Sequence, residues 1–564
     1  MDIAQILQEV NQNILSSGNA ALKELSERSE QAKSVSEALL MRVIRDNADT
    51  EYGKSLGFGD IHSVEEFKSK VPLSTYDDYA PYIERMVKGE RNLITSYPIV
   101  RYAVTSGSVD NPKNIPVSEE TMGIYERFAG HVSSTVPFNH VTQTQQRPVH
   151  GGRILIAAVA HDDTVEDGTS RGAVSSAVYG KLKPLLDYIS VVPSSVFFPP
   201  PGNINMKYLR LFFGLKEEGL AAMNAPFMTA LVDLMHYLEV NWEMLVRDIA
   251  AGVVNPSISM PDALRKELQT SLEPDPARAE SLRREFERGF DEAIVPRIWP
   301  HLEYVGAIGG GGFQAYTEKM RRYTGSIPFY LGTYAASESL MAVATEMERA
   351  EYMLLPESGF YEFIPADEDS PTETLNLDEL EVGRDYEIVL TNLSGFYRYR
   401  IGDVLRVTGY AGQTPKVCFV YRKKQMVSIA GEKTNEASIA WTVGEFEKAS
   451  GHAIADYSIY ADIDATPGRY VLFMEADRHV DIERHAEYRS LIEGKLSVAN
   501  PSFGSKVRDG VLGAMDIRFV QQETYYLYRD LMVLRGTSEN QLKPVRVIDT
   551  PGKERFFFAL VDAE

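Results

Sequence analysis

The chain has 564 residues, 44% of them hydrophobic and 24% charged, with a formal net charge of −22; this describes a globular protein too long for a single core. Such an acidic balance excludes a general binder of nucleic acid or anionic membrane, because phosphate binding needs a positive field, and any phosphate site must be local. A single cysteine, Cys418 in the apolar run Val417-Cys418-Phe419-Val420, excludes an internal disulfide and points to inert core in a reducing compartment.

The first residues, Met1-Asp2-Ile3-Ala4-Gln5, have neither a basic start nor an apolar h-region. No apolar run reaches bilayer length, so the cytoplasm is the default location and no membrane partner is expected. Residues 2–47 read as helical, with Ile3, Ile6, Leu7, Val10 and Ile14 on one face and Leu39, Leu40, Val43 and Ile44 on another. Ser63, three residues before Glu66, signs a further helix start. The strand Tyr97–Val104 then runs into Thr105-Ser106-Gly107-Ser108, with Pro112-Lys113 following and a helix expected from near Ser118. Hydroxyls and free N–H groups on a glycine turn can cradle phosphate oxygens while Lys113 neutralises their charge. The same residues also make an ordinary loop, and at this point both readings stand.

Ile154–Val159 reads as a strand, Met223-Asn224-Ala225-Pro226-Phe227 as the opening of a long helix ending near Asp248, and Glu273–Arg288 as a charged surface helix. Leu302–Ile308 is a buried strand ending in four glycines, Gly309 to Gly312, where a flat ligand can lie on backbone or the chain can simply turn. Phe329–Glu338 reads as one strand finishing in hydroxyls and a carboxylate; Glu338 is then a surface cap or, beside a triphosphate, a magnesium ligand. From Tyr397 to Arg400 aromatic and arginine alternate with period two, and Ile401-Gly402-Asp403 reads as a tight turn into a second strand. Asp403 on that turn can accept two hydrogen bonds from a vicinal diol, or mark a plain hairpin. The polar stretch around Arg422 to Glu436 is the best domain boundary, since a fresh pattern follows: helix Ala437–Ala449, strands Ala455–Ala461 and Arg469–Glu475, helix Ile482–Val498. Lys543 lies in the polar loop Arg535–Pro544 before a last strand, Val545–Ile548.

Taken in this order, these stretches resemble the Gretchen Hagen type of acyl-acid amido synthetase, the auxin- and jasmonate-conjugating family within the luciferase-like adenylate-forming superfamily. The most specific part is Tyr397–Leu405, Arg422, Val427-Ser428-Ile429 and Glu432-Lys433-Thr434-Asn435-Glu436; Tyr334-Ala335-Ala336-Ser337-Glu338 and Asn540-Gln541-Leu542-Lys543 are similar to two further family motifs. The resemblance implies an α/β fold with a large N-terminal adenylate-forming domain over 1–430, made of a β-barrel plus mixed sheets with helices and binding ATP and the acyl acid. A smaller mobile α+β domain over 431–564 would carry the catalytic lysine. The implied reaction is activation of a carboxylic acid as acyl-AMP, then transfer to an amine such as an amino acid, with ATP and Mg2+ as cofactors and only small-molecule acid and amine as partners.

Carried over residue by residue, Lys543 and Lys433 would approach the α-phosphate and Glu338 would place magnesium. Thr105, Ser106, Gly107, Ser108 and Lys113 would grip the triphosphate, and Asp403 the ribose. Gly309, Gly310, Gly311 and Tyr334 would surround adenine, and Thr333, Ser337 and Arg422 complete the nucleotide set. An acyl pocket of small and apolar groups would be lined by Ser170–Tyr179, Asn224–Leu234 and Ala335–Met341. The chain departs from the superfamily at Val109 and Asp110, where the phosphate loop usually has a hydroxyl and a glycine. Two rivals remain: an acyl-CoA ligase of the same superfamily and a non-catalytic adenylate-binding protein. A hydrolase or acyltransferase fares worse, since the chain lacks a His-His-x-x-x-Asp motif.

Overall fold

The computed structural model describes residues 3–104, 113–145, 152–368, 373–423, 427–430, 432, 434–539 and 542–562. The chain folds into two compact units. The larger holds residues 1–401, 405–419 and 538–541; the smaller holds 402–404, 420–537 and 542–564. Among the described residues no helix is long and apolar enough to cross a membrane.

In the larger unit, one sheet is fully parallel. Its strands lie in the order Ile154–Ile156, Ala222–Phe227, Tyr304–Ile308 and Phe329–Tyr330. Parallel strands covered on both faces read as continuous apolar runs rather than as alternation, and this one buries Leu155, Met223, Val305 and Phe329 in a single core with Leu231, Leu238 and Trp299. The segment Met223–Phe227 is therefore strand, not the opening of a helix. Short apolar runs do not distinguish the two by periodicity, and the helix begins only at Met228, running to Ala251. Gly252, at φ 66°, ends it with a left-handed cap.

A second sheet has seven strands in the order Gly359–Pro365, Asp385–Asn392, Tyr399–Ala411, Thr414–Arg422, Tyr352–Leu354, Leu340–Val343 and Thr333–Ala335. The expected single strand Phe329–Glu338 is divided between this sheet and the parallel one, the chain leaving one for the other at Leu331-Gly332. A third sheet pairs Ile99–Val104 with Asn114–Ser118 and with Ser170–Gly172. The N-terminal helices Ile3–Ser29 and Ala32–Asp46 bury Leu25, Leu39, Leu40, Val43 and Ile44 in the same core as the seven-stranded sheet. The Ser63 cap forms as expected, its hydroxyl accepting from Glu66 N, while Glu66 reaches back one residue further, to His62 N. The charged segment is a helix over Pro276–Glu287 with only one face in solvent; Arg278, Leu282 and Phe286 are buried, and the Arg278 guanidinium donates to the carbonyls of Leu215 and Ile298.

The Tyr-Arg-Tyr-Arg stretch is where sequence and structure part most. The turn lies before it, at Leu393–Gly395, and Asp403 sits inside one continuous strand, Tyr399–Ala411. Gly402 adopts φ 84° within that strand, which kinks it without reversing it, as glycine does in a bulge. Arg398 carries the strain of a left-handed backbone at φ 47°, a cost of about 1–3 kcal/mol, and its buried guanidinium holds it there. Nε lies 3.1 Å from both Glu362 oxygens, and Nη1 donates to Lys68 O at 2.6 Å and Val71 O at 2.8 Å. Arg400 pairs in the same way with buried Glu387, at 2.8 and 2.7 Å. Both arginines of the most recognisable motif are thus sheet fasteners.

The smaller unit has a four-stranded sheet in the order Asp516–Val520, Arg469–Ala476, Ile454–Asp462 and Val547–Ile548. Its middle pair is antiparallel and both outer strands are parallel to their neighbours. Helices Glu436–Ser450 and His485–Ala499 pack Phe446, Ile492 and Leu496 against it.

Candidate active site

Thr105, Ser106, Gly107, Ser108, Val109, Asp110 and Lys433 lie outside the described residues. In the larger unit, Glu338 is 7% exposed, at the end of the segment that follows the short strand Thr333–Ala335. Its Oε1 accepts the Tyr399 hydroxyl at 3.0 Å, and its backbone carbonyl accepts from Asn392 Nδ2 at 2.8 Å. Tyr125 donates to Ala336 O at 2.5 Å, which brings a second tyrosine to this turn. Burial pushes the Tyr125 hydroxyl well above its ordinary range, and the Glu338 charge adds to the shift. Burial likewise raises Tyr76, and Glu338 contributes there too. Lys113, one of the expected site residues, holds its ammonium 4.3 Å from the centre of the Tyr76 ring. Two of the expected residues, Lys113 and Glu338, thus act on Tyr76, Lys113 by contact with its ring and Glu338 through its charge.

Those two come from distant parts of the chain, and a buried hydroxyl network keeps the parts in register. Ser118 N donates to Ser394 Oγ at 3.0 Å, and Thr121 Oγ1 lies 3.0 Å from the same oxygen. Tyr79 closes the other side, donating to Tyr397 O at 2.8 Å and accepting from Tyr397 N at 2.9 Å.

Gly309, Gly310 and Gly311 follow the strand Tyr304–Ile308, and protein neighbours crowd all three. A Cβ would meet Thr317 Oγ1 at 2.5 Å on Gly309, Ala350 Cβ at 2.5 Å on Gly310 and Phe419 Cδ1 at 2.4 Å on Gly311. Gly311 also needs its φ of 58°. Phe419, which the sequence did not single out, lies against this glycine with its ring 6.3 Å from that of Tyr334. Phe313, two residues beyond Gly311, stacks in parallel on Phe227, 4.8 Å apart. Alternation along Thr414–Arg422 was the signal available for Phe419, and it does not separate a packing ring from a binding ring. Thr333 and Ser337 are half-buried on either side of Tyr334.

Of the expected acyl-pocket stretches, two share a core: Val174, Ala177 and Val178 pack on the same cluster as Ala335, Ala336 and Met341. Met228, Leu231 and Leu234 belong to the parallel sheet's core instead. Cys418, expected as inert core, is half-buried, and burial pushes its thiol up.

In the smaller unit, Asp403 is 2% exposed and gripped by Arg422, with Nε 2.5 Å from Oδ1 and Nη2 3.1 Å from Oδ2. Such a fork is the strong, bidentate form of an arginine–carboxylate pair. Glu432 flanks the position of Lys433 and is itself fixed: it accepts from Ile429 N and Ala430 N, each at 2.8 Å, and from the Tyr470 hydroxyl. Thr434, on the other flank, accepts from Asn500 Nδ2 at 2.9 Å. Lys543 is exposed, and its charge reaches buried Glu436.

Among the described residues no group of three or more His, Cys, Asp or Glu side chains is placed to hold a metal ion. A lone buried carboxylate such as Glu338 suits magnesium, which usually takes one or two carboxylates and fills its shell with water and phosphate oxygens.

Comparison with known proteins gives matches along almost the whole chain. The GH3 family N-terminal domain matches residues 21–329, the GH3 family central domain 352–422 and the GH3 family C-terminal domain 437–552. Indole-3-acetic acid-amido synthetase GH3.8 of Oryza sativa subsp. indica is 28% identical over 562 residues, covering 94% of this chain and 90% of its own. Jasmonoyl--L-amino acid synthetase GH3.5 of Oryza sativa subsp. japonica is 26% identical, covering 92% of each chain. Among solved structures, the GH3.15 acyl acid amido synthetase superposes with a TM-score of 0.83 at 25% identity, covering 96% of each chain.

Proposed function

Since the chain belongs to the GH3 family, we propose that it is an acyl-acid amido synthetase that joins a small organic acid to an amine, an amino acid by analogy with its relatives. A carboxylate is a poor electrophile because its charge is delocalised. In the first half-reaction its oxygen attacks the α-phosphorus of ATP, forming acyl-AMP and releasing pyrophosphate; in the second the amine attacks the acyl carbon and AMP departs.

The observation that carries this reading is the match to the family along almost the whole chain, with Glu338 buried and held by the Tyr399 hydroxyl and Lys113 over the Tyr76 ring, one group for a cation and one for phosphate. Lys113 and the Thr105–Ser108 loop hold the triphosphate, and Glu338 supplies the carboxylate for Mg2+, whose bound charge offsets that of the phosphates. Asp403, steadied by Arg422, accepts from the ribose hydroxyls. Gly309, Gly310, Gly311, Thr333, Tyr334 and Ser337 surround the base. Lys543 and Lys433 neutralise charge that develops at the α-phosphate, where fixed donors act most strongly. The half-buried apolar side chains of Val174–Val178 and Ala335–Ala336 favour an acid with apolar bulk. Residues 431–564 form a mobile domain that serves both half-reactions, following the expected boundary.

An acyl-CoA ligase shares the first half-reaction, and the second decides between them. Purified protein is incubated with ATP, Mg2+, a panel of carboxylic acids and mixed amino acids, and the products are weighed by mass spectrometry. Pyrophosphate, AMP and an amide are expected, with no adenylate formed by Lys543→Ala. ADP and phosphate, or a thioester with coenzyme A and no amide, would overturn the proposal.

A further inference from the structure

The turn that carries Glu338 is clamped from several directions. It joins the antiparallel strands Thr333–Ala335 and Leu340–Val343, and it closes on itself through Ala336 N, which donates to Ser339 O at 2.9 Å. The Tyr125 hydroxyl holds the Ala336 carbonyl at 2.5 Å, and Asn392 Nδ2 holds the Glu338 carbonyl at 2.8 Å. Asn392 is buried and is itself fixed, its Oδ1 accepting from Ser394 N at 2.9 Å and from Phe396 N at 3.0 Å. These contacts set the backbone of Glu338. They do not aim its carboxylate.

Tyr399 does. It lies on another strand of the same seven-stranded sheet, and its hydroxyl donates to Glu338 Oε1 at 3.0 Å, a charge-assisted hydrogen bond and so one of the stronger kind. A hydroxyl can aim a carboxylate only if it is immobile itself. The Tyr399 ring is buried, its centre 4.7 Å from that of Phe396 and 6.3 Å from that of Tyr79. Its backbone is bracketed by Ser74, which donates from N to Arg398 O at 3.0 Å and accepts at O from Arg400 N at 2.8 Å. Ring and backbone together leave the hydroxyl one place to point.

We infer that Tyr399 is a positioning residue for the metal carboxylate: by occupying an acceptor direction on Oε1, its hydroxyl steers a cation to a single oxygen of Glu338 in one orientation, and so favours Mg2+ over Ca2+. Magnesium demands near-ideal octahedral geometry, whereas calcium takes more oxygens in a flexible shell and readily binds a carboxylate through both of its oxygens; one fixed oxygen suits the first and penalises the second. Hydrogen-bond partners of a ligating carboxylate typically carry about tenfold to a hundredfold in metal affinity. The inference rests on the proposed role of Glu338 for its metal, and on the Tyr399 contact for its geometry.

The test is a binding measurement on the full-length protein. The probe is the ATP analogue with a methylene bridge between its α- and β-phosphates, which cannot release pyrophosphate, titrated calorimetrically in Mg2+, in Ca2+ and in EDTA. The readout is the gain in analogue affinity that each cation brings over EDTA. Tyr399→Phe keeps the ring packing and removes only the hydroxyl; it should lower the Mg2+ gain by about tenfold to a hundredfold and the Ca2+ gain by less, with affinity in EDTA unchanged, which also reports a folded protein. Tyr386→Phe should leave all three values unchanged, although it removes another buried hydroxyl of the same sheet, one that accepts from Glu381 N at 3.0 Å. An unchanged Mg2+ gain in Tyr399→Phe overturns the inference, as does an equal loss with both cations. If Mg2+ brings no gain to wild-type protein, or Glu338→Gln keeps the gain, the proposed role of Glu338 falls and takes the inference with it. A Glu338→Gln protein that loses the gain beside a Tyr399→Phe protein that keeps it overturns the inference alone.

Discussion

Arg398→Met should destabilise the larger unit while sparing its chemistry. The side chain donates to the Glu362 carboxylate at 2.9–3.1 Å, to the backbone carbonyls of Lys68 and Val71 at 2.6 and 2.8 Å, and to Thr374 Oγ1 at 3.1 Å. Glu362 is 0% exposed, so removing its partner leaves a buried carboxylate with the Thr374 hydroxyl as its remaining side-chain donor in this network. Breaking a buried pair from one side costs about 3–5 kcal/mol, a large part of the roughly 5–15 kcal/mol that holds a typical domain. Methionine keeps much of the volume, so the loss is electrostatic rather than a cavity. Urea unfolding followed by the fluorescence of Trp299, which is 0% exposed in this unit, should show the midpoint falling by about 1 M or more for m near 3 kcal/mol per M. Adding Glu362→Gln should recover part of the loss, with a coupling of about 0.5–3 kcal/mol. An Arg398→Met protein that unfolds at the wild-type urea concentration yet releases no pyrophosphate would refute the assignment of this arginine to the scaffold.

Two further outcomes test the smaller unit. Asp403→Ala should raise KM for ATP by about tenfold to a hundredfold, since a charged acceptor is worth about 1.5–3 kcal/mol, with KM for the acid unchanged; an unaltered KM for ATP removes Asp403 from the ribose site. For Glu432, burial pushes the carboxyl up, but the Tyr470 hydroxyl and the N–H groups of Ile429 and Ala430 outweigh it and leave the native pKa depressed. Its contribution is therefore fully present above the unfolded value of about 4.3 and is lost as pH falls through the lower native value. Tyr470→Phe should flatten the acid limb of urea stability, and an identical limb in the variant would show that Glu432 owes its shift to something else.

The sequence alone determined the family and the order of its parts, because short continuous strings such as Tyr397–Leu405 and Glu432–Glu436 need no three-dimensional information to be recognised. It also determined the helices with complete local signals: Ser63 as a cap, and the 3.6-residue spacing of Leu39, Leu40, Val43 and Ile44. What it could not determine was what each residue of those strings does. Whether Met223–Phe227 is helix or strand depends on the parallel neighbours Ile154–Ile156 and Tyr304–Ile308, which are distant in sequence. Whether Gly402-Asp403 turns or continues depends on the seven-stranded sheet in which it is embedded. The same limit explains why the fastening role of Arg398 and Arg400 is not legible in the sequence, since their partners Glu362 and Glu387 lie on other strands. It also explains why Phe419, Tyr76 and Tyr125 went unnoticed. Local pattern fixes φ/ψ preference and exposure; a side chain's role is set by the charges and rings that distant segments bring within a few ångströms, and that information enters only when the chain has packed.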